Sequence, residues 1–167
     1  PVPDIKGQAG ADSIRELAER ASVDDLVICL LSGGGSALLP SPSQGLSLTD
    51  KQETIQVLLS CGASIHEINT LRKHMSRIKG GQLAQAAHPA RVVSLILSDV
   101  VGDDLDVIAS GPTVSDPSTF QDCMNILSKY GLADKLTQAV NKHLTKGLEG
   151  KIRETPKPGN TLFGKTD

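Results

Sequence analysis

Three consecutive glycines lie between two serines in Ser32-Gly33-Gly34-Gly35-Ser36. Glycines free the backbone to take positive φ and let a ligand approach closely. The N–H groups and two hydroxyls of such a turn suit an anionic group, most often phosphate. The same residues also read as a tight turn with no ligand. A second set is basic: Asn69, Arg72, Lys73, Ser76 and Lys79 recur at helical spacing. That row suits an anion at a cleft, or equally a solvated basic face. A third set is acidic, in Ser98-Asp99-Val100-Val101-Gly102-Asp103-Asp104. Asp99 and Asp103 could hold Mg2+ or accept a proton from a hydroxyl, with at least one of the nearby carboxylates a plain loop charge. Ala109-Ser110-Gly111-Pro112-Thr113 is a second small-residue turn that could complete a pocket wall.

The elements that must position these sets follow from hydrophobic pattern. Leu26 to Leu31 and Val92 to Leu97 are short, continuous apolar runs, the pattern of strands buried on both faces of a parallel sheet. In open α/β sheets ligands bind beyond the carboxyl ends of the strands, where the glycine loop and Asp99 both fall. Asp12 or Ser13 opens a first helix with Ile14, Leu17, Ala18 and Ala21 on one face. Residues 40–45 read as an exposed turn. Thr49-Asp50-Lys51-Gln52 fits a capping box before a helix that buries Ile55, Leu58 and Leu59, and Ser64-Ile65-His66-Glu67 repeats the signature. The second of these helices carries an apolar stripe of Ile65, Ile68, Leu71, Met75 and Ile78, with the basic row a quarter turn away, until Gly80-Gly81 interrupts it. Ser118 or Thr119 caps a helix burying Phe120, Cys123, Leu127 and Tyr130, and a last helix buries Leu136, Val140 and Leu144. The charged, Gly- and Pro-containing stretch after Lys146 reads as a linker.

Composition narrows the function classes. The chain has 167 residues and a net charge of -2, so it can bury a real core and offers no basic surface for nucleic acid or membrane. No apolar run approaches the roughly 18 residues that cross a bilayer. Cys29, Cys61 and Cys123 are widely spaced without a Cys-x-x-Cys, as reduced thiols of an intracellular protein would be. A cytoplasmic location is expected, with a mitochondrial one open. Pro1-Val2-Pro3-Asp4 and Gly159-Asn160-Thr161-Leu162-Phe163 read as interior loops, so we expect a piece of a longer chain.

Known signatures sort the chemistry. The glycine loop lacks the lysine of a P-loop, and three adjacent glycines do not match the spaced dinucleotide pattern. A nucleophile elbow at Ser36 fails because Leu38 stands where glycine is needed. Phosphoryl transfer fits best, since backbone N–H groups, cations and acidic residues for Mg2+ are its recurring parts. A non-catalytic nucleotide- or anion-binding module is the alternative, and a serine hydrolase the weaker one.

Five blocks in order, the Ser-Gly-Gly-Gly-Ser loop, Asn69 with Arg72-Lys73-His74, Lys79-Gly80-Gly81, Ser98 to Asp103, and Ala109 to Thr113, closely resemble the type 2 glycerate kinase family, its animal members most of all. The resemblance runs from Pro3 to about Leu132. It implies an α/β fold: residues 1–150 as part of a larger, Rossmann-like three-layer αβα domain with a mostly parallel sheet, and residues 151–167 as a linker toward the rest of the chain. It further implies ATP-dependent phosphorylation of D-glycerate to 2-phosphoglycerate, in serine and fructose breakdown, with small molecules as partners and a homo-oligomer left open. On this basis Lys79, Asp99 and Arg72 are expected to be catalytic. Ser32, Gly33, Gly34, Gly35, Ser36, Asn69, Lys73, Ser110 and Gly111 are expected to bind substrate or phosphate, and Asp99 and Asp103 the Mg2+. Met75 replaces the apolar residue usual in the family, a swap that conserves volume. The family's upstream Gly-Lys-Ala segment and smaller domain are not in this chain, so it should be inactive alone.

Overall fold

The computed structural model describes residues 2–98 and 104–163, so Asp99 and Asp103 lie outside the described residues. Strands β1 (Leu26–Leu31) and β2 (Arg91–Ile96) pair in parallel, from Leu26 opposite Arg91 to Leu31 opposite Ile96. The α/β class is as expected, but the strands are not buried on both faces. Their burial alternates residue by residue. Val27, Cys29 and Val92 pack inward against Ala11, Ala18, Leu83 and Ala87 of helices α1 (Ile5–Glu19) and α5 (Gln82–Ala87). Leu26, Ile28, Leu30, Val93 and Leu95 are exposed on the opposite face, because no described element packs there.

Helix α1 begins earlier than expected. Asp4 accepts the Gly7 N–H at 2.7 Å and so caps the helix. Its small Ala11 and Ala18 are the buried residues, and the larger Ile14 and Leu17 face out. Helix α2 (Gly35–Leu38) follows the glycine loop directly. The turn at residues 40–43 is buried rather than exposed, because Ser41 O accepts the Arg77 N–H and Ser43 N donates to Met75 O.

Helix α3 (Leu48–Ser60) opens on a capping box formed by Ser47 and Asp50, two residues before the expected cap. Helix α4 (Ile65–His74) has the expected box of Ser64 and Glu67, and α6 (Phe120–Tyr130) one of Thr119 and Asp122. With α7 (Gln138–Leu148) these helices enclose the larger core, built from Leu58, Ile68, Leu71, Met75, Phe120, Leu127, Val140 and Leu144. Leu59 and Ile65, both expected inside, are about half exposed.

Residues 151–163, expected as a linker, pack onto this helical body without regular structure. Glu154 accepts from His74 Nε2 and from the Phe120 N–H, and Thr155 Oγ1 donates to Asp116. Burial alone would raise the Glu154 carboxyl; the bonds from His74, Phe120 and Lys157 outweigh it and hold it down at about 2. The segment is retained because it satisfies buried polar groups that would otherwise be unpaired.

Gly147, in the last turn of α7, touches the Phe120 ring so closely that an added Cβ would lie 2.3 Å from it. Alanine is the better helix former by about 1 kcal/mol, yet overpacking costs about 1–3 kcal/mol. Gly147→Ala is therefore expected to lower Tm in thermal unfolding. A raised Tm would mean that the ring has room to swing away.

Candidate active site

The basic row does not stay on one helix. Helix α4 ends at His74, where Met75 leaves helical geometry at φ -101, ψ 19. Side chains take the carbonyls that the helix end exposes. The Gln82 amide donates to Lys73 O, Ser76 O and Lys79 O; His143 Nε2 lies 2.8 Å from His74 O; and Lys51 Nζ donates to Met75 O at 2.9 Å. Ser76 Oγ accepts the Ile78 and Lys79 N–H groups. The chain is thus turned back, and Lys79 reaches the glycine loop from outside the helix.

Lys79 is 2% exposed and donates to Ser36 O at 2.9 Å, Ala109 O at 3.2 Å and Ser36 Oγ at 3.3 Å. Ser36 Oγ lies 2.7 Å from Ser110 Oγ, which donates to Asn69 Oδ1 at 3.1 Å; Arg72 Nη1 donates to the same oxygen at 3.2 Å. Since Ser110 gives its proton to Asn69, the Ser36 proton points to Ser110. Ser36, Asn69, Arg72, Lys79 and Ser110 therefore form one directional network, drawn from three stretches far apart in sequence: residue 36, residues 69–79 and residue 110.

The turn that carries Ser110 is strained. Ala109, Ser110 and Gly111 have consecutive positive φ of 52, 60 and 58, although only glycine takes this region freely. The Lys79 segment holds that turn rung by rung. Lys79 Nζ bonds Ala109 O, Gly80 N bonds Ser110 O, Gly81 N bonds Gly111 O at 2.7 Å, and Leu83 N bonds Pro112 O. Gly81 has φ +80, and a Cβ there would lie 2.7 Å from Phe163 Cζ and 2.8 Å from Val114 O. Two of the sequence blocks are thus halves of one interlocked unit, and strain of this kind clusters at functional sites.

The other expected residues are placed differently. Ser32, Gly33 and Gly34 are exposed just beyond β1, and Gly35 packs against Ala109, its Cβ position 3.3 Å from the Ala109 Cβ. Lys73 turns away from the network to the buried Asp116 at 3.2 Å and to Asp106 at 2.7 Å. Among the described residues no group of three His, Cys, Asp or Glu side chains could hold a metal.

A cavity of about 410 Å³ opens beside the network, lined by Ser36, Ala37, Lys51, Ile55, Arg72 and Lys79, among others. Burial pushes Lys79 well below the ordinary lysine range, and the positive charges of Lys51 and Arg72 add to that; burial also lowers Arg72. Lys51 was not among the expected site residues. It is 5% exposed, and burial followed by the charge of Arg72 lowers it to about 7. Its signal in the sequence was a lysine at helical spacing with Ile55 and Leu58, on the inward stripe of α3.

Comparison with known proteins points to one family. A Pyrococcus horikoshii protein named glycerate 2-kinase is 49% identical over 157 residues, 94% of this chain and 36% of that protein. A glycerate kinase of Rattus norvegicus is 52% identical over 145 residues, 87% of this chain and 28% of that protein. An Agrobacterium vitis protein provisionally named a hydroxypyruvate reductase is 49% identical over 159 residues, 95% of this chain and 35% of that protein. The crystal structure of a Thermotoga maritima glycerate kinase superposes with a TM-score of 0.85 at 45% identity, over 94% of this chain and 36% of that one. The chain thus spans about a third of the length of the relatives it matches. With residues 1–145 matching the family described as a domain of unknown function, DUF4147, the chain belongs to that family, and its relatives include proteins named glycerate kinase.

Proposed function

We propose that this chain is the part of an ATP-dependent glycerate kinase that carries the buried lysine of the active site. The observation that supports this most is Lys79: a buried lysine side chain between the glycine-loop serine and a strained turn, with Arg72 and Lys51 lining the same cavity. None of the three has an ion-pair partner among the described residues. Buried cations of this kind call for an anion. Glycerate and ATP each bring one, and cations aimed where charge develops are the main catalytic device of phosphoryl transfer.

In this reading Lys79 and Arg72 neutralise charge on the transferred group or the acceptor, and Ser36, Ser110 and Asn69 hold Lys79 and Arg72 in place. The exposed glycines Gly33 and Gly34 offer their N–H groups to an anion. Mg2+ accompanies the nucleotide, and Asp99 and Asp103 are assigned to it by sequence. The product is 2-phosphoglycerate, and residues 1–150 are part of a larger Rossmann-like domain.

A coupled assay of the full-length protein with D-glycerate, ATP and Mg2+ tests this. Wild type is expected to make 2-phosphoglycerate, Asp99→Asn to lose most of kcat, and the isolated 167 residues to give no turnover. Reduced-nicotinamide consumption with hydroxypyruvate, in place of phosphate transfer, would replace the kinase reading with the reductase one. ATP binding with neither activity would favour a binding module. The hydrolase reading is disfavoured by the network itself. The Ser36 hydroxyl is held 2.7 Å from Ser110 Oγ, and Lys79 Nζ makes its shorter bonds to the Ser36 and Ala109 carbonyls, with the hydroxyl farther off at 3.3 Å.

A further inference from the structure

Lys51 occupies a position that packing alone would fill with an apolar side chain. It lies on the inward stripe of α3, its Nζ reaches Met75 O, and it lines the cavity with Arg72 and Lys79. One of its three N–H groups is used by Met75 O, and no carboxylate is within ion-pair distance among the described residues. The charged groups facing it are Arg72 from α4 and Lys79 from the turn beyond it, both positive, with Glu53 on the exposed rim of α3. The rest of the wall is mixed: Ile55, Leu59, Pro40 and Ala37 are apolar, and Gln52, Gln56 and Ser36 add uncharged polar groups. A small carboxylate with a short hydroxylated carbon skeleton suits such a site, its charge on the basic groups, its carbon atoms against the apolar residues and its hydroxyls within reach of the amides.

We infer that Lys51 is a third cation of an oxyanion subsite, with Arg72 and Lys79, and that the subsite takes the carboxylate of the acceptor. The inference rests on the kinase reading and deepens it by assigning acceptor selectivity to a residue of α3. An oxyanion in this cavity could come from two sources, the acceptor's carboxylate or the donor's terminal phosphate, and the two are separable by kinetics. The role of Lys51 as a cap on the α4 carboxyl end is compatible with this, because one N–H suffices for the cap.

The test is steady-state kinetics of the full-length protein with D-glycerate and with its amide, in which the carboxylate is replaced by an uncharged group. Lys51→Met keeps the volume and removes the charge. It is expected to raise KM for D-glycerate tenfold or more, to leave KM for ATP within twofold, and to erase most of the wild-type preference for glycerate over the amide. Lys51→Arg restores the charge and is expected to stay within about threefold of wild type in KM for D-glycerate. A purely structural cap predicts no change in the glycerate-to-amide preference. An unchanged KM for D-glycerate in Lys51→Met, or a rise confined to ATP, overturns the inference while leaving the kinase intact. If wild type phosphorylates nothing, the kinase reading fails first. Calorimetric binding of D-glycerate to wild type and Lys51→Met then decides the subsite, and equal affinities reject it.

Discussion

Lys79→Met is expected to lower kcat of the full-length protein by about 10²- to 10³-fold, the usual effect of removing one preorganised group that stabilises developing charge. The side chain touches the glycine-loop serine and the Ala109 carbonyl together, so its loss removes a charge and also unties the two loops. Tm should change little, because two effects oppose each other. Leaving buried carbonyls unbonded costs about 1–3 kcal/mol, while removing a buried basic group without a carboxylate partner among the described residues relieves part of the cost of burying it. Circular-dichroism melting beside the coupled assay separates the outcomes. A loss of activity that tracks a fall in Tm would make Lys79 a structural residue only. Full activity in a folded Lys79→Met protein would remove it from the chemistry.

The second large effect is on stability. Lys73 and Asp116 form an ion pair in which the side chains are 3% and 0% exposed. Asp116 also accepts from Ser118 N, Ser118 Oγ and Thr155 Oγ1, so its charge is anchored from three segments. Removing one partner of a buried pair strands the other, at a cost of about 3–5 kcal/mol. Lys73→Met should show that loss in denaturant unfolding. The double variant with Asp116→Asn should recover at least half of it, because the fully buried stranded charge is gone and Asp106, the other carboxylate that Lys73 pairs with, is 30% exposed and reaches water. A double variant as unstable as the single one would place the cost in packing.

The pH dependence has a definite sign. Burial acts to raise the Asp116 carboxyl, but Lys73 and the hydroxyl bonds outweigh it, so the folded value lies below the ordinary 3.8. A carboxyl lowered on folding contributes stability that is complete above the unfolded value and is lost as pH falls through the folded one. Without Lys73 the main lowering influence disappears and Asp116 protonates at higher pH. The gap in Tm between wild type and Lys73→Met should therefore narrow as pH falls from 7 toward 4.

Arg72 and Lys73 show how a row read from sequence divides in three dimensions. They are adjacent on α4 and were expected to serve one anion. A helix turns 100° per residue, however, and Lys73 meets Asp106 and Asp116 while Arg72 meets Asn69 and the cavity. Lys79 was expected as the end of the same helical row. It reaches the site because the helix stops at His74 and the chain doubles back. The residue identity was legible and the route was not, since the side chains that end the helix, Gln82, His143 and Lys51, come from elsewhere in the chain.

By itself the sequence determined the local features: the span of β1, the capping box of α4, a cap of α6 at Thr119, the glycine loop, and the resemblance to proteins named glycerate kinase. These depend on a few neighbouring residues whose chemistry acts over one turn of chain. Only the tertiary structure decided which polar groups share a burial site. Ser36, Asn69, Lys79 and Ser110 meet although the ends of that set are 74 residues apart, Lys73 leaves it for Asp116, and Lys51 joins it from the inward face of α3. The physical reason is that a buried charge or hydroxyl is stable only beside the partner that satisfies it, and that partner is chosen by packing across the fold.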